Sequence, residues 1–148
     1  MKEIVSDNYS VWIGENSLSK LDVSNYSRVG ILVDENTKRD CLNKLPNIEH
    51  SIIIEVPSGE INKSISTCNY IWEQLTENNL DRNSLLINLG GGVIGDMGGF
   101  CASTYKRGID FVQIPTTLLS MVDASIGGKL GLDFNGLKNQ IGLFSNPK

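Results

Sequence analysis

The sequence predicts an α/β fold: a Rossmann-like, mostly parallel sheet flanked by helices. Three observations carry this. Short apolar runs alternate with helix-compatible segments along the chain. Runs such as Val29–Val33, Ile52–Ile54 and Leu85–Leu89 are continuous, which suits strands buried on both faces. Each strand is followed by turn-forming or polar residues: Asp34-Glu35-Asn36, Gly59-Glu60, Gly90-Gly91-Gly92 and Thr116-Thr117. Ligands of parallel sheets sit beyond the carboxyl ends of strands, so these four clusters are expected to line one edge together.

The bulk numbers bound the function. With 148 residues the chain is one domain's worth, large enough for a real core. A net charge of −4 with no basic run argues against nucleic acid or an anionic membrane surface as a partner. No apolar run reaches membrane-span length and no signal-peptide pattern opens the chain, so a cytoplasmic protein is expected. Cys41, Cys68 and Cys101 are odd in number and in no C-x-x-C spacing, so they read as reduced core thiols. His50 is the single histidine, and no metal ligands are assigned to this chain.

Taken in order, Ser10–Gly14 alternates and ends in glycine, predicting a first strand, and Ser17–Leu21 a short helical turn. Arg28–Asp34 is a β-branched apolar run and a strand. Asn36-Thr37 is expected to cap a helix over Lys38–Leu45, which Pro46 stops. Ser51–Val56 is the next strand, ended by Pro57-Ser58-Gly59. Ile61, Ile65, Cys68, Trp72 and Leu75 then recur at steps of four, three, four and three, one apolar face of a helix packed on a sheet. Leu85–Leu89 and Phe111–Ile114 are further strands. Leu130–Phe134 and Gln140–Phe144 predict two short strands around a turn at Asn135-Gly136, the connection setting Lys138 and Asn139.

The stretch Leu85–Lys129 organises the chain. Glycines 90, 92 and 95 satisfy G-x-G-x-x-G between a strand and a helix. Such a turn lets a pyrophosphate approach the backbone, and the helix that follows offers free N–H groups and its positive dipole end. Glycine-rich turns also serve tight packing alone. The acidic residue that the dinucleotide fingerprint sets about 20 residues on is missing, Asp110 coming too early. Lys129 follows Gly127-Gly128 without forming a P-loop, since Asp123 and Leu130 stand where glycine and Ser/Thr are needed.

GGGVIGD, TYKRG, VQIPTTLL, VDASIGGK and LKNQIG, in this order and spacing, closely resemble the 3-dehydroquinate synthases, within the wider sugar phosphate cyclases. The resemblance is dense from about Leu85 to Phe144 and thins before it to Asp34-Glu35-Asn36 and Gly59–Lys63. It implies an NAD-dependent enzyme of the shikimate pathway, a phosphate-eliminating lyase, acting on a phosphorylated sugar acid, with hydride transfer to and from NAD and closure of a ring.

By the resemblance, Asp34 and Asn36 contact NAD, as do Glu60 and Lys63 of G-E-x-x-K. Gly91, Gly92 and Val93 match the pyrophosphate turn, Asp96 an aspartate near the nicotinamide, and Thr116 and Thr117 a cofactor-contacting pair. Lys138 matches a cofactor-side lysine. Arg107, Lys129 and Asn139 match substrate-binding positions, and Asp123 a carboxylate that holds substrate hydroxyls. Structural alternatives stand beside these: a strand-end turn aspartate for Asp34, an exposed i,i+3 pair for Glu60 and Lys63, a first-turn helix residue for Asp96, a threonine N-cap for Thr116-Thr117, and solvated surface charges for Arg107 and Lys138.

The family's metal ligands, a glutamate and two histidines for zinc or cobalt, would lie in a helical second domain beyond this chain, and His50 cannot replace them. Residues 1–148 are therefore expected to be the NAD-binding N-terminal domain, inactive alone, exposing an apolar surface at its cleft, and homodimeric when full length. GGKLG replaces the usual GGKTG, Leu137 stands where a glycine precedes Lys138, and Phe134-Asn135-Gly136 is similar to cyclases acting on other sugar phosphates. Another sugar phosphate cyclase, a polyol dehydrogenase with a related first domain, and a stand-alone NAD-binding module are the competing readings.

Overall fold

The computed structural model describes every residue except Asp7 and Asn47. Four strands form one parallel sheet: β3 (Val29–Asp34), β4 (Ile52–Val56), β5 (Leu85–Gly90) and β6 (Asp110–Pro115). Their order is β4-β3-β5-β6. Two antiparallel hairpins flank it: β1 (Lys2–Val5) with β2 (Ser10–Ile13), and β7 (Lys129–Phe134) with β8 (Leu137–Phe144). Strand β1 carries no apolar run to announce it, because its four residues are all exposed.

The continuous apolar runs are explained by two cores, one on each face of the sheet. Leu85, Ile87 and Leu89 of β5 face one core with Ile31 and Val33 of β3. Leu32, Leu86, Ile54 and Val56 face the other. In β5 every residue is buried, so no polar face exists to produce alternation. Each fully buried Leu or Ile contributes about 1.5–3 kcal/mol, which is why such a strand tolerates no charge.

The two faces are covered unequally. Helices α2 (Ile65–Glu77) and α3 (Gly92–Thr104) and the β7–β8 hairpin close the first. The second is closed by α1 (Glu35–Asp40), the 3₁₀ turn Leu42–Lys44 and side chains of residues 18–26. The expected helix over Lys38–Leu45 is thus displaced: it begins at Glu35, breaks at Cys41 and ends in that 3₁₀ turn. Asn36-Thr37 does not cap it from outside; Asp34 does, and Thr37 sits inside the first turn.

The helix predicted from Ile61 also starts later. Glu60–Asn62 is a 3₁₀ turn, and Ser64 caps α2 by accepting the Thr67 N–H at 3.3 Å. Ile61 is left 92% exposed, and the face that is buried is Cys68, Ile71 and Leu75. Trp72 is half-buried, donating its indole N–H to the Cys101 carbonyl at 3.2 Å. A capping serine outweighed the apolar period, since a cap satisfies a backbone donor that Ile61 cannot.

Helix α3 lies unusually close to the sheet at Gly98 and to the β7–β8 hairpin at Gly99. A Cβ at Gly98 would stand 1.9 Å from Asn88 Oδ1, and one at Gly99 2.5 Å from a Leu130 methyl. Gln113 reaches the same helix, donating to the Gly95 carbonyl at 3.0 Å. The glycines let the start of α3 settle against the end of β5, which places its free N–H groups at the sheet edge.

Candidate functional site

Because the four strands are parallel, Asp34, Val56, Gly90 and Pro115 end at one edge, with Asp34 beside Val56 and Gly90 beside Pro115. The four polar clusters therefore do share an edge. The chain leaves β3 toward one face and β5 toward the other, so the order switches between these strands, where such sheets open a crevice.

Asp34 is committed at one oxygen. Its Oδ1 accepts the N–H groups of Asn36 (3.0 Å) and Thr37 (2.8 Å), while Thr37 Oγ1 accepts the Asp34 N–H at 3.1 Å. The turn aspartate is real, and capping involves Oδ1 rather than the whole carboxylate. Beside it, Glu35 accepts the Ser58 N–H and hydroxyl at 2.9 and 2.6 Å, which tie the ends of β3 and β4 and hold the Glu35 carboxyl below its ordinary range.

Gly91 opens α3 without a side-chain cap, leaving the first-turn N–H groups of Gly92 and Val93 to a ligand or water. Across the turn, a Cβ at Gly91 would meet Thr117 Cγ2 at 3.3 Å, so Thr117 stands against the glycine loop. The Thr116 N–H donates to the Gly90 carbonyl at 3.0 Å, and Thr117 Oγ1 caps the next turn by accepting the Ser120 N–H at 3.2 Å.

Lys63 is the centre of the site. It is 4% exposed, pairs with Asp96 Oδ2 at 2.6 Å and donates to Asn139 Oδ1 at 2.6 Å. An exposed Glu60–Lys63 pair is thereby overturned: Lys63 turns into the protein, and Glu60 instead meets Lys138 at 3.5 Å near the surface. Burial raises the Asp96 carboxyl above its ordinary value, and the Lys63 ammonium works against that rise. Asp96 is not a first-turn residue, since α3 begins at Gly92 and its first turn holds no acidic side chain, and it shares a mostly buried ion pair.

Lys138 and Asn139 lie within β8, not in the turn before it. Asp123 and Lys129 face one another at 3.8 Å, both about two-thirds exposed. Gly128 delivers Lys129 with φ +67°, and a Cβ there would come 2.4 Å from Asn146 Oδ1, so glycine is required. The Gly127 N–H donates to Tyr9 Oη at 3.1 Å, which ties the first hairpin to this loop. Tyr9 was not legible as a contact because 118 residues separate the pair.

Arg107 alone lies elsewhere. Helix α3 runs from the crevice to the opposite edge, where Leu85 and Asp110 pair at the strand starts. Arg107 joins Asp81, Arg82, Asn83 and Lys106 around a shallow depression there, with Lys106 and Arg107 at φ 49° and 69°.

The crevice edge is rimmed by apolar side chains open to solvent: Ile61 at 92%, Leu118 at 76%, Leu119 at 69% and Val122 at 64%. Among the described residues no three His, Cys, Asp or Glu side chains gather to hold a metal, and no helix is long and apolar enough to cross a membrane.

Comparisons with known proteins bear on the fold and the family. The chain is 46% identical over 125 residues to the 3-dehydroquinate synthase of Parabacteroides distasonis, covering 82% of this chain and 35% of that protein. It spans well under half the length of the curated relatives it matches. Among solved structures it superposes on 2-deoxy-scyllo-inosose synthase complexed with carbaglucose-6-phosphate, NAD+ and Co2+, with a TM-score of 0.87 and 22% identity over 99% of this chain and 44% of that one. It also superposes on ValA, the 2-epi-5-epi-valiolone synthase of Streptomyces hygroscopicus subsp. jinggangensis 5008 with NAD+ and Zn2+ bound, with a TM-score of 0.81 and 24% identity over 99% and 43%. These two establish the fold. The family model of the 3-dehydroquinate synthase N-terminal domain matches residues 53–148, which include Lys63, Asp96, the glycine turn and the β7–β8 hairpin. From the motifs, the crevice and this match together, the chain belongs to the 3-dehydroquinate synthase family as its N-terminal part.

Proposed function

We propose that residues 1–148 are the NAD-binding half of a 3-dehydroquinate synthase, which converts 3-deoxy-D-arabino-heptulosonate 7-phosphate to 3-dehydroquinate and phosphate. The observation that carries the reading is the Lys63 junction. One buried ammonium holds Asp96, beside the glycine turn, and Asn139, on the hairpin, at 2.6 Å each. Cofactor-side and substrate-side groups of the family's motifs are thereby drawn to one point.

The residues fit a dinucleotide. Uncapped N–H groups of Gly92 and Val93 suit the pyrophosphate, with Gly91 admitting it closely. The Asp34 carboxylate suits a ribose hydroxyl through Oδ2, with Asn36 and Glu60 at the same edge, and Thr116 and Thr117 close the far side. NAD, when bound, supplies reversible hydride transfer. Lys138 stands on the cofactor side, Lys129 answers the substrate's anionic groups with charge, Asp123 accepts from its hydroxyls, and Asn139 donates to its oxygens. A zinc or cobalt ion does not fit the donors described here, so its ligands would come from outside them. The exposed rim of Leu118, Leu119 and Val122 suits a second domain closing over the crevice. Arg107, at the opposite edge, suits the crevice of a second protomer in a homodimer. We place the protein in the cytoplasm and expect the 148 residues alone to be inactive.

The test is NAD-dependent phosphate release from the heptulosonate phosphate, with zinc, by the protein carried to its natural stop codon. Dehydroquinate formation is expected; NAD binding without turnover would move the reading to another sugar phosphate cyclase. Asp34→Ser is expected to weaken NAD about tenfold while keeping helix α1, since serine still caps it. If Asp34→Ser binds NAD as the parent does, Asp34 is a cap and nothing more.

A further inference from the structure

We propose that Asp133 is a positioning residue of the crevice, acting through a bulge that it holds open in the β7–β8 hairpin. Leu132 pairs with Ile141 and Phe134 with Leu137. Between those pairs a single residue, Asp133, faces three: Lys138, Asn139 and Gln140. A bulge of this kind re-aims side chains but breaks the ladder and leaves backbone N–H groups without strand partners. Asn139 at its centre takes φ 53°, a conformation unfavourable to most non-glycine residues.

Three hydrogen bonds hold it. The Asp133 N–H donates to the Lys63 carbonyl at 3.1 Å. Asp133 Oδ1 accepts the Asn139 N–H at 2.9 Å. Asn139 Oδ1 accepts from Lys63 Nζ at 2.6 Å, which closes a ring of Lys63, Asp133 and Asn139. An ammonium can only donate, so the amide oxygen is the atom that faces Lys63, and Asn139 offers its NH₂ outward. The bulge therefore presents the Asn139 amide to an oxygen-rich ligand, while the ammonium of the preceding Lys138 stands 3.5 Å from Glu60. Lys63 fixes the amide from below, while Asp133 fixes the backbone that carries it.

What the presented amide binds rests on the function proposed above; the positioning itself does not. In the 148-residue chain, Asp133→Ala is expected to speed hydrogen exchange of the Asn139 backbone amide at least tenfold, with β3 and β5 amides unchanged. Asp133→Asn keeps an acceptor oxygen and is expected to restore protection. In the protein carried to its stop codon, Asp133→Ala is expected to raise KM for the heptulosonate phosphate about tenfold, leave KM for NAD within about twofold, and be rescued by Asp133→Asn. If Asp133→Ala does not fold, Asp133→Glu, which displaces the acceptor by one methylene, is read the same way. Unchanged Asn139 exchange overturns the proposal, as does an equal rise in both KM values. An enzyme inert toward that substrate sinks the functional reading instead, and amide exchange then decides the positioning alone.

Discussion

Replacing Lys63 with methionine is expected to cost about 3 kcal/mol of stability at neutral pH, the low end for breaking a buried ion pair because Asp96 keeps 16% exposure. At this chain length that lowers Tm by roughly 6–12 °C. The loss comes less from the missing attraction than from the Asp96 carboxylate left without its counter-charge and the Asn139 oxygen left without its donor. The sign of the pH dependence follows. Burial already raises the Asp96 carboxyl, and removal of the ammonium raises it further. A carboxyl raised in the folded state binds its proton more tightly there than in the unfolded chain. It therefore costs nothing below the unfolded value of about 4 and destabilises progressively as pH climbs through the folded value. Urea unfolding of Lys63→Met should show a deficit that shrinks from pH 7 toward pH 4. Pairing Lys63→Met with Asp96→Leu should recover most of it, since apolar groups replace a buried pair at little cost. A deficit under about 0.5 kcal/mol at pH 7 would mean that the pair is solvated and the junction weak.

Gly98→Ala is expected to destabilise by about 1–3 kcal/mol even though alanine favours helix by about 1 kcal/mol. The new methyl would stand 1.9 Å from Asn88 Oδ1 and 2.3 Å from Asn88 Cγ, and Asn88 is 1% exposed with nowhere to turn. Among the described residues neither amide atom of Asn88 has a hydrogen-bond partner. Removing that amide takes away both the clash and a desolvation penalty of about 1–3 kcal/mol. The Gly98→Ala/Asn88→Ala double variant should thus be at least as stable as the parent, with a coupling of about 2 kcal/mol or more measured by a double-mutant cycle. Additive effects would refute the close approach of α3 to β5. If the clash instead pushes α3 outward, the N–H groups of Gly92 and Val93 move with it, and under the proposed function NAD affinity falls in the single variant but not in the double.

How much of this could be read from residues alone differs by feature. Strand positions were legible because two-sided burial writes itself as an unbroken apolar run, as in Leu85–Leu89. The shared carboxyl edge followed, since polar clusters after parallel strands must meet. Strand β1 was illegible: its four residues are exposed and its pairing comes from β2 rather than from a core. The start of α2 was misread from Ile61 because periodicity cannot distinguish an apolar residue at a helix face from one left 92% in solvent.

The sequence by itself determined the fold class and the crevice edge, because buried apolar runs and strand-end polarity are local requirements of backbone geometry; the family was legible only as a resemblance carried by the motifs from Leu85 to Phe144 together. Tertiary structure alone decided which charges meet. Beside its resemblance to a cofactor-binding position, the spacing of Lys63 also allowed an exposed pair with Glu60 three residues away, yet the hairpin from seventy-six residues on supplies Asn139 and the ammonium turns inward to Asp96. Arg107 looked like one of the crevice cations, yet the length of α3 carries it to the far edge. Burial and long-range pairing fix a side chain's electrostatic partner, and neither is written in the spacing of the residues that take part.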